Sequence, residues 1–258
     1  MISLAFEKLH GLGNDFMLLD WRDGATPLTL NAALIAQWAD RRYGVGFDQL
    51  IVLSQQPAGI QYQFYNADGG AAEQCGNGQR AIAHYLYRQG ELDQPITIMG
   101  AGGPVTLSYQ DEDHISVELA QKITQQAQTI AGVNGHYVNL GNPHWAYVAE
   151  DLQASDLPAI SAQARQVHES GVNTEAISRI NDQHIRIRVI ERGVGETLAC
   201  GSGACAAAIA AGQLLGTGNP ITVSMPGGDV QVNYDLDCDK IKLTGPARLV
   251  YRGQINHE

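Results

Sequence analysis

Short stretches of alternating apolar and polar residues run through most of the chain and predict β-strands. In the first half the predicted strands are residues 61–66, 96–99, 105–109 and 115–119. In the second half they are residues 137–140, 145–148, 185–191, 221–225, 230–234 and 241–244. Turn-forming residues at 181–183 and 226–228 separate neighbouring strands. Each half is therefore predicted to be mostly antiparallel sheet.

Helical patterns are fewer, and two of them are apolar nearly all round. The predicted helices are residues 32–42, 78–89, 158–169 and 203–215. The clearest apolar run, at 204–211, consists of Ala, Cys and Ile alone. Because a helix that is apolar on every side belongs in a protein interior, we expect an α/β (α+β) fold in which each sheet surrounds one buried helix.

The chain repeats itself with an offset of 125 residues. Cys75 and Cys200 each open a Cys-Gly-x-Gly turn, and the same offset carries Asn66 onto Glu191. It also aligns 95–98 with 220–223 and 102–103 with 227–228, and small shifts align 13–16 with 141–144 and 44–46 with 171–173. We therefore predict two pseudo-symmetric domains, residues 1–119 and 120–247, with a linker at 121–131. The tail, 248–258, is expected to return to the first domain as a strand.

Composition removes several classes of function. The 258 residues include 16 Lys and Arg against 27 Asp and Glu, a net charge of −11, and the basic residues are scattered. Nucleic acid and anionic membrane are thus unexpected partners. The N-terminus lacks a signal-peptide pattern, and no apolar run reaches the roughly 18 residues that a membrane span needs. We expect a cytoplasmic protein.

Four cysteines without a secretory signal predict thiols rather than a disulfide framework. The ligand spacings typical of zinc sites are absent, so no metal is expected. A buried cysteine usually acts as a small hydrophobic residue, and Cys205 and Cys238 are interpreted as inert. Cys75 and Cys200 differ because each precedes a helix start, where unpaired N–H groups bind a carboxylate and lower a thiol's pKa.

Two other interpretations fit less well. The glycine runs at 11–13 and 100–103 do not form a dinucleotide-binding or Walker-type motif. A cysteine protease, with His144 oriented by Asn142 or Glu191, would use one thiol and leave its twin unexplained. His144 could equally be an ordinary core histidine. Glu191 and Arg192 could equally form a solvated ion pair that contributes little to stability.

Two matched thiols suit the inversion of a stereocentre. One thiolate removes a proton from carbon while the other thiol delivers a proton from the opposite face. Helix starts directed at a substrate carboxylate would stabilise the carbanionic state through preorganised dipoles. The pattern therefore favours a cofactor-independent epimerase or racemase acting on a small amino-acid substrate.

Together these motifs resemble the diaminopimelate epimerase family over almost the whole length. The blocks that carry the resemblance are residues 8–16, 44–49, 66–69, 75–78, 141–144, 191–197, 199–204 and 244–247. The resemblance implies two domains, each a β-barrel-like sheet around a central helix, a cleft between them, a homodimer and no cofactor. It also implies interconversion of LL- and meso-diaminopimelate in lysine and peptidoglycan precursor synthesis.

The resemblance further assigns roles to individual residues. Cys75 and Cys200 would be the acid–base pair, tuned by His144 and Glu191. The reacting carboxylate would be held by Gly76, Asn77, Gly201 and Ser202. The distal amino-acid end would be recognised by Asn14, Gln49, Asn66, Asn142, Asn173, the backbone of Glu191 and Arg192. Two alternatives stay open: a racemase of another amino acid, of the histidine or proline type, and a non-catalytic relative that binds amino acids.

Overall fold

The computed structural model describes residues 2–24, 28–72 and 74–257. The helices are α1 (Ala32–Ala39), α2 (Gly76–Arg88), α3 (Leu157–Val167) and α4 (Gly201–Leu215). The first strands are β1 (Ile2–Gly11), β2 (Asn14–Asp20), β3 (Gln49–Gln56), β4 (Gly59–Asn66), β5 (Ala71–Ala72), β6 (Ile96–Gly100), β7 (Gly103–Tyr109) and β8 (Ile115–Ala120). The remaining strands are β9 (Thr124–Ile130), β10 (Val133–Asn139), β11 (Pro143–Val148), β12 (Asn173–Asn181), β13 (His184–Glu191), β14 (Gly195–Glu196), β15 (Ile221–Met225), β16 (Gly228–Asp235), β17 (Lys240–Gly245) and β18 (Arg248–His257). The fold is mixed α+β and rich in strands.

The chain forms two compact units. Unit 1 comprises Met1–Val117 and Pro246–Glu258, and unit 2 comprises Glu118–Gly245. In unit 1 the strand order is β18-β1-β2-β3-β4-β6-β7, where β2–β3 and β4–β6 are parallel and the other pairs antiparallel. In unit 2 the order is β9-β10-β11-β12-β13-β15-β16-β17, again with two parallel pairs, β11–β12 and β13–β15. The internal repeat is thus visible as a repeat of strand directions.

Each unit encloses one helix. In unit 1, α2 contacts β1, β2, β7 and β18, and in unit 2, α4 contacts β10 to β13 and β15 to β17. The other two helices pack on apolar clusters of their own units: α1 on residues of β1 to β3, and α3 on residues that include Trp145 and Tyr147. The prediction that both enclosed helices are apolar all round is correct for α4 and wrong for α2. The latter buries Gln79, Arg80 and His84.

Several predicted elements need correction. The predicted linker 121–131 is largely strand β9, which pairs with β10. Side chains also bond across this ladder, as between Gln125 and His136. Strands β1, β2, β3 and β12 were not predicted. In β2 and β3 the apolar residues are consecutive and buried, so the alternation that marks a half-exposed strand is absent.

The predicted helix 32–42 ends early, at Ala39. The Asp40 carboxylate accepts the backbone N–H groups of Arg42 and Tyr43, at 2.7 and 2.8 Å, and this turns the chain. A side chain at Gly44 would lie 2.5 Å from the Trp38 carbonyl oxygen, so the chain folds back against the helix only with glycine there. Helices α2 and α4 begin two residues before their predicted starts, because the glycine after each cysteine is already helical. Helix α3 begins one residue early, at Leu157, with Asp156 as its N-cap.

Candidate active site

Three residues with predicted roles and amide side chains lie at strand ends in unit 1. Asn14 begins β2, Gln49 begins the parallel strand β3, and Asn66 ends the antiparallel strand β4. The starts of two parallel strands and the end of an antiparallel neighbour lie at the same edge. Gln49 and Asn66 are directly paired in the ladder, and Gln49 Nε2 donates to Asn66 Oδ1 at 3.0 Å.

Cys75 lies at this edge as the N-cap of α2. Its backbone is extended, and its sulfur accepts the N–H of Gly78 at 3.4 Å. The thiol donates to Asn14 Oδ1 at 3.5 Å, and Asn77 Nδ2 donates to the same oxygen at 3.3 Å. Gly76 and Asn77 are the first residues of the helix. A helix start, a thiol and two amides are therefore brought together in unit 1.

The buried guanidinium of Arg80 forms hydrogen bonds with the first residues of this helix. Arg80 is fully buried and donates to Asn77 Oδ1 at 2.7 Å, to the Gly76 carbonyl at 3.4 Å and to the Pro246 carbonyl at 3.3 Å. The hydrogen bond to Asn77 fixes the side-chain amide whose nitrogen faces Asn14. Sequence reasoning did not identify Arg80 as part of the site.

A charged cluster anchors the loop that carries Asn14. The Asp15 carboxylate accepts from Arg41 at 2.8 Å and from Lys8 at 2.6 Å, and also accepts the Asp48 backbone N–H. Partial burial raises the pKa of Asp15, but the hydrogen bonds and positive charges of Arg41 and Lys8 outweigh it and lower the pKa to about 2. Asp48 in turn accepts from Asn14 Nδ2 at 2.9 Å, so the cluster holds that side chain in place.

In unit 2 the equivalent edge is formed by β11, β12 and β13. His144 and Asn173 are partners in the parallel β11–β12 ladder, and Glu191 ends β13. Asn173 Nδ2 lies 3.4 Å from His144 Nε2, and its Oδ1 accepts the Arg192 backbone N–H at 2.8 Å. The Arg192 guanidinium donates to the Ser170 carbonyl at 2.7 Å.

Cys200 is the N-cap of α4, which begins at Gly201. Its sulfur accepts the Gly203 N–H at 3.3 Å, and its thiol donates to Glu191 Oε2 at 3.3 Å. Ser202 Oγ lies 3.6 Å from the sulfur and accepts from Asn142 Nδ2 at 3.1 Å. Burial, followed by the charges of Glu191 and Glu175, raises the pKa of Cys200 well above that of an ordinary thiol.

Sequence reasoning also missed Glu175. This carboxylate, in β12, is fully buried, and its Oε1 lies 2.7 Å from His144 Nδ1. The available signal was an acidic residue, Glu175, in a segment, 173–177, that holds no other charged residue. Its partner could not be found without knowing that β11 and β12 are parallel neighbours.

The predicted site residues thus fall into one group in each unit, around a sheet edge and the start of the enclosed helix. Unit 1 brings together Asn14, Gln49, Asn66, Cys75, Gly76 and Asn77, and unit 2 brings together Asn142, His144, Asn173, Glu191, Arg192, Cys200, Gly201 and Ser202. Within the described ranges, no cluster of three or more His, Cys, Asp or Glu residues is arranged to hold a metal ion. None of the helices in the described part of the chain is both long and apolar enough to span a membrane.

Comparison with solved structures identifies the fold class. A phenazine biosynthesis protein of the PhzF family from Bacillus anthracis superimposes with a TM-score of 0.76, covering 100% of both chains at 13% identity. A hydroxyproline epimerase from Agrobacterium vitis, solved with bound trans-4-hydroxy-L-proline, gives a TM-score of 0.68 at 12% identity, covering 98% of this chain and 92% of that one. At these identities the likeness shows a shared two-domain fold.

Sequence comparison is more specific. The family model for diaminopimelate epimerase matches residues 6–123 and 136–250. Diaminopimelate epimerase from Xanthomonas oryzae pv. oryzae (strain MAFF 311018) is 36% identical, covering 98% of this chain and 96% of its own. The enzyme of that name from Nitrosomonas europaea is 34% identical, covering 99% and 100%. The chain belongs to the diaminopimelate epimerase family.

Proposed function

We propose that this protein is an isomerase, a diaminopimelate epimerase that converts the LL form to the meso form in lysine and peptidoglycan precursor synthesis. One observation carries the proposal: in each unit a cysteine caps the first turn of the enclosed helix, and both helices start with Gly-x-Gly. Relatives of that name, similar over nearly the full length of both chains, support the same substrate.

The proposed chemistry uses the two thiols on opposite faces of one α-carbon. The thiolate of one cysteine takes the α-proton, so a C–H bond breaks and an S–H bond forms. The other thiol then gives its proton to the carbanion from the opposite face, and a C–H bond forms with inverted configuration. The proton count balances without any added oxidant, reductant or cofactor. The reverse reaction exchanges the roles of the two cysteines.

We assign the remaining residues by their positions around the two helix starts. Backbone N–H groups of Gly76, Asn77, Gly201 and Ser202 are proposed to bind the reacting carboxylate, because a helix start carries unpaired donors and partial positive charge. His144 and Glu191 are proposed to tune the thiols. Recognition of the distal amino-acid end is assigned to Asn14, Gln49, Asn66, Asn142, Asn173 and Arg192.

We also propose a cytoplasmic homodimer whose domains are residues 1–119 with the returning strand 248–258, and residues 120–247. The internal repeat supports these boundaries. Sedimentation of the purified chain at several concentrations tests the dimer. A monomer at all concentrations would contradict it.

The decisive experiment is exchange of the substrate α-proton into heavy water. We expect the wild-type protein to exchange and invert LL-diaminopimelate, and Cys75→Ala and Cys200→Ala each to abolish inversion. Cys238→Ala, which alters an exposed turn, serves as the control and is expected to keep full activity. Full inversion by Cys200→Ala would overturn the two-thiol mechanism.

A substrate panel tests the specificity. Histidine, lysine, proline and diaminopimelate are compared in the same exchange assay. We expect turnover of diaminopimelate alone, because a second amino-acid end is needed to engage Asn173 and Arg192. Turnover of histidine or proline without diaminopimelate would select a racemase of another amino acid. Binding without exchange would indicate a non-catalytic relative.

A further inference from the structure

The most unusual group in unit 2 is the buried carboxylate of Glu175. Its side chain is completely excluded from solvent, and burial raises its pKa, while the hydrogen bond with His144 acts in the opposite direction. Among the described residues, none lies within hydrogen-bond reach of Glu175 Oε2. Because burying a carboxylate with so little compensation is costly, its presence indicates a role beyond packing. Its closest partner is His144, at 2.7 Å.

The hydrogen bonds around His144 have a defined direction. The Arg192 backbone N–H can only donate, so Asn173 presents its Oδ1 to Arg192 and its Nδ2 to His144. His144 Nε2 must therefore be the acceptor, and the ring proton lies on Nδ1, from which it is donated to Glu175. A chain of three hydrogen bonds thus links the Glu175 carboxylate to the backbone of Arg192.

Glu175 also lies against the helix start that carries Cys200. A methyl group placed on Gly203 would lie 3.0 Å from Glu175 Oε1 and 3.2 Å from Cys200 Sγ. The carboxylate and the sulfur therefore flank the same glycine, where a methyl group would be a tight fit between them. The pair formed by His144 and Glu175 thus lies next to Cys200, on the other side of Gly203.

We propose that Glu175 is a positioning residue that holds His144 in the Nδ1–H tautomer. The unprotonated Nε2 then fixes the Asn173 amide, and Asn173 in turn fixes the backbone at Arg192, directly after Glu191. In this arrangement a buried carboxylate sets the tautomer and orientation of an imidazole, as in the dyads of many hydrolases. The inference rests on the proposed function for its catalytic consequence, and on the hydrogen bonds alone for the tautomer.

The test is nitrogen NMR of protein labelled with ¹⁵N-histidine, with His144 assigned by its absence in His144→Gln. Long-range proton–nitrogen spectra distinguish the two tautomers. We expect the Nδ1–H pattern in the wild type and its loss in Glu175→Leu, which removes the acceptor while preserving bulk. A wild-type His144 protonated on Nε2, or a Glu175→Leu spectrum identical to the wild type, would overturn the proposal.

Glu175→Gln keeps the shape and an acceptor oxygen, and so provides the test if Glu175→Leu does not fold. An imidazole N–H donating to a carboxylate resonates far downfield, and we expect this proton to move upfield when the acceptor becomes a neutral amide. An unchanged resonance would contradict the proposal. Glu150→Gln removes an exposed charge from the same unit and should change neither spectrum.

Kinetics separate this proposal from the proposed function. If the protein inverts diaminopimelate, Glu175→Leu should slow α-proton exchange on the order of tenfold or more, with Glu150→Gln unaffected. If the wild type exchanges no substrate at all, the proposed function fails while the tautomer measurement still decides the role of Glu175. If Glu175→Leu keeps full activity after losing the Nδ1–H pattern, the positioning role in catalysis is wrong.

Discussion

The two enclosed helices occupy matching places in the repeat but bury different side chains. With the 125-residue offset, Gln79 and Arg80 of α2 correspond to Ala204 and Cys205 of α4, and His84 corresponds to Ile209. In unit 1, Gln79 Nε2 donates to the Tyr62 hydroxyl at 2.7 Å and Arg80 donates to three acceptors. Gln79 Oε1 and His84 Nδ1 are buried without a hydrogen bond. In unit 2 the same positions pack as small apolar residues.

Helices α2 and α4 therefore share their first turn but differ in the residues that follow it. Both N-caps are cysteines whose sulfur accepts the N–H three residues on. In unit 1 the side chain that bonds to the helix start is Arg80, which belongs to the helix itself. In unit 2 the buried pair beside the helix start, Glu175 and His144, belongs to the sheet. Substitutions at corresponding positions should therefore have unequal effects.

The largest expected difference is between Arg80→Leu and Cys205→Ala. Removing Arg80 deletes hydrogen bonds to Asn77, Gly76 and Pro246 in a fully buried setting, and should lower the free energy of unfolding by about 3 kcal/mol or more. Cys205→Ala removes only one small buried group, at a cost of about 1 kcal/mol. Urea denaturation of both variants measures the difference. Equal losses would show that Arg80 does not brace its helix.

The next difference concerns the glycine at the third helical position of each unit. A methyl group at Gly78 would lie 2.7 Å from the Phe64 ring, whereas at Gly203 the nearest atom is Glu175 Oε1 at 3.0 Å. We expect Gly78→Ala to destabilise by about 1–3 kcal/mol through overpacking. Gly203→Ala should be milder in stability and act chiefly on the reactivity of Cys200. Thermal melts and thiol-alkylation rates separate the two effects.

A smaller effect is expected from changing the hydrogen-bond partner of one thiol, Cys200. Cys200 donates to the Glu191 carboxylate, and Cys75 to the neutral Asn14 amide. Glu191 raises the pKa of Cys200, so Glu191→Gln should lower that pKa and speed alkylation of Cys200 several-fold near neutral pH. Peptide mass spectrometry after timed iodoacetamide treatment reads each cysteine separately. Cys75 is the internal control, and an unchanged rate at Cys200 would refute the assigned effect of Glu191.

The smallest effect is a loss of folding stability that occurs only at acidic pH and depends on Asp15. Because the pKa of Asp15 is lowered to about 2, its ion pairs with Lys8 and Arg41 stabilise the folded state fully above the unfolded pKa of about 4. This stabilisation is lost as the pH falls from about 4 towards 2. Asp15→Asn should therefore show a shallower decline in stability over that range, measured by denaturation at successive pH values. A slope equal to that of the wild type would contradict the assignment.

The sequence predicted the parts of the site that depend on local chemistry. The Cys-Gly-x-Gly pattern and the apolar run after Cys200 are enough to place a thiol at a helix start, and the repeat supplies its twin. Strand β3 was missed because its apolar residues are consecutive, and β9 because Gln and Thr suit loops as well as edge strands. Glu175 could not be assigned because its partner, His144, lies 31 residues away and is brought near by the pairing of β11 and β12.

The last strand has a consequence for the order in which the chain folds during synthesis. Strand β18 pairs along the full length of β1, from Ile2 with His257 to His10 with Arg248, whereas its counterpart β9 forms a local hairpin with β10. Unit 2 is thus continuous along the chain and can close as soon as it leaves the ribosome. Unit 1 emerges first yet lacks its edge strand until β18 has been synthesised, because this strand must pair with β1 across the whole of unit 2. Unit 1, which begins first, is therefore completed after unit 2.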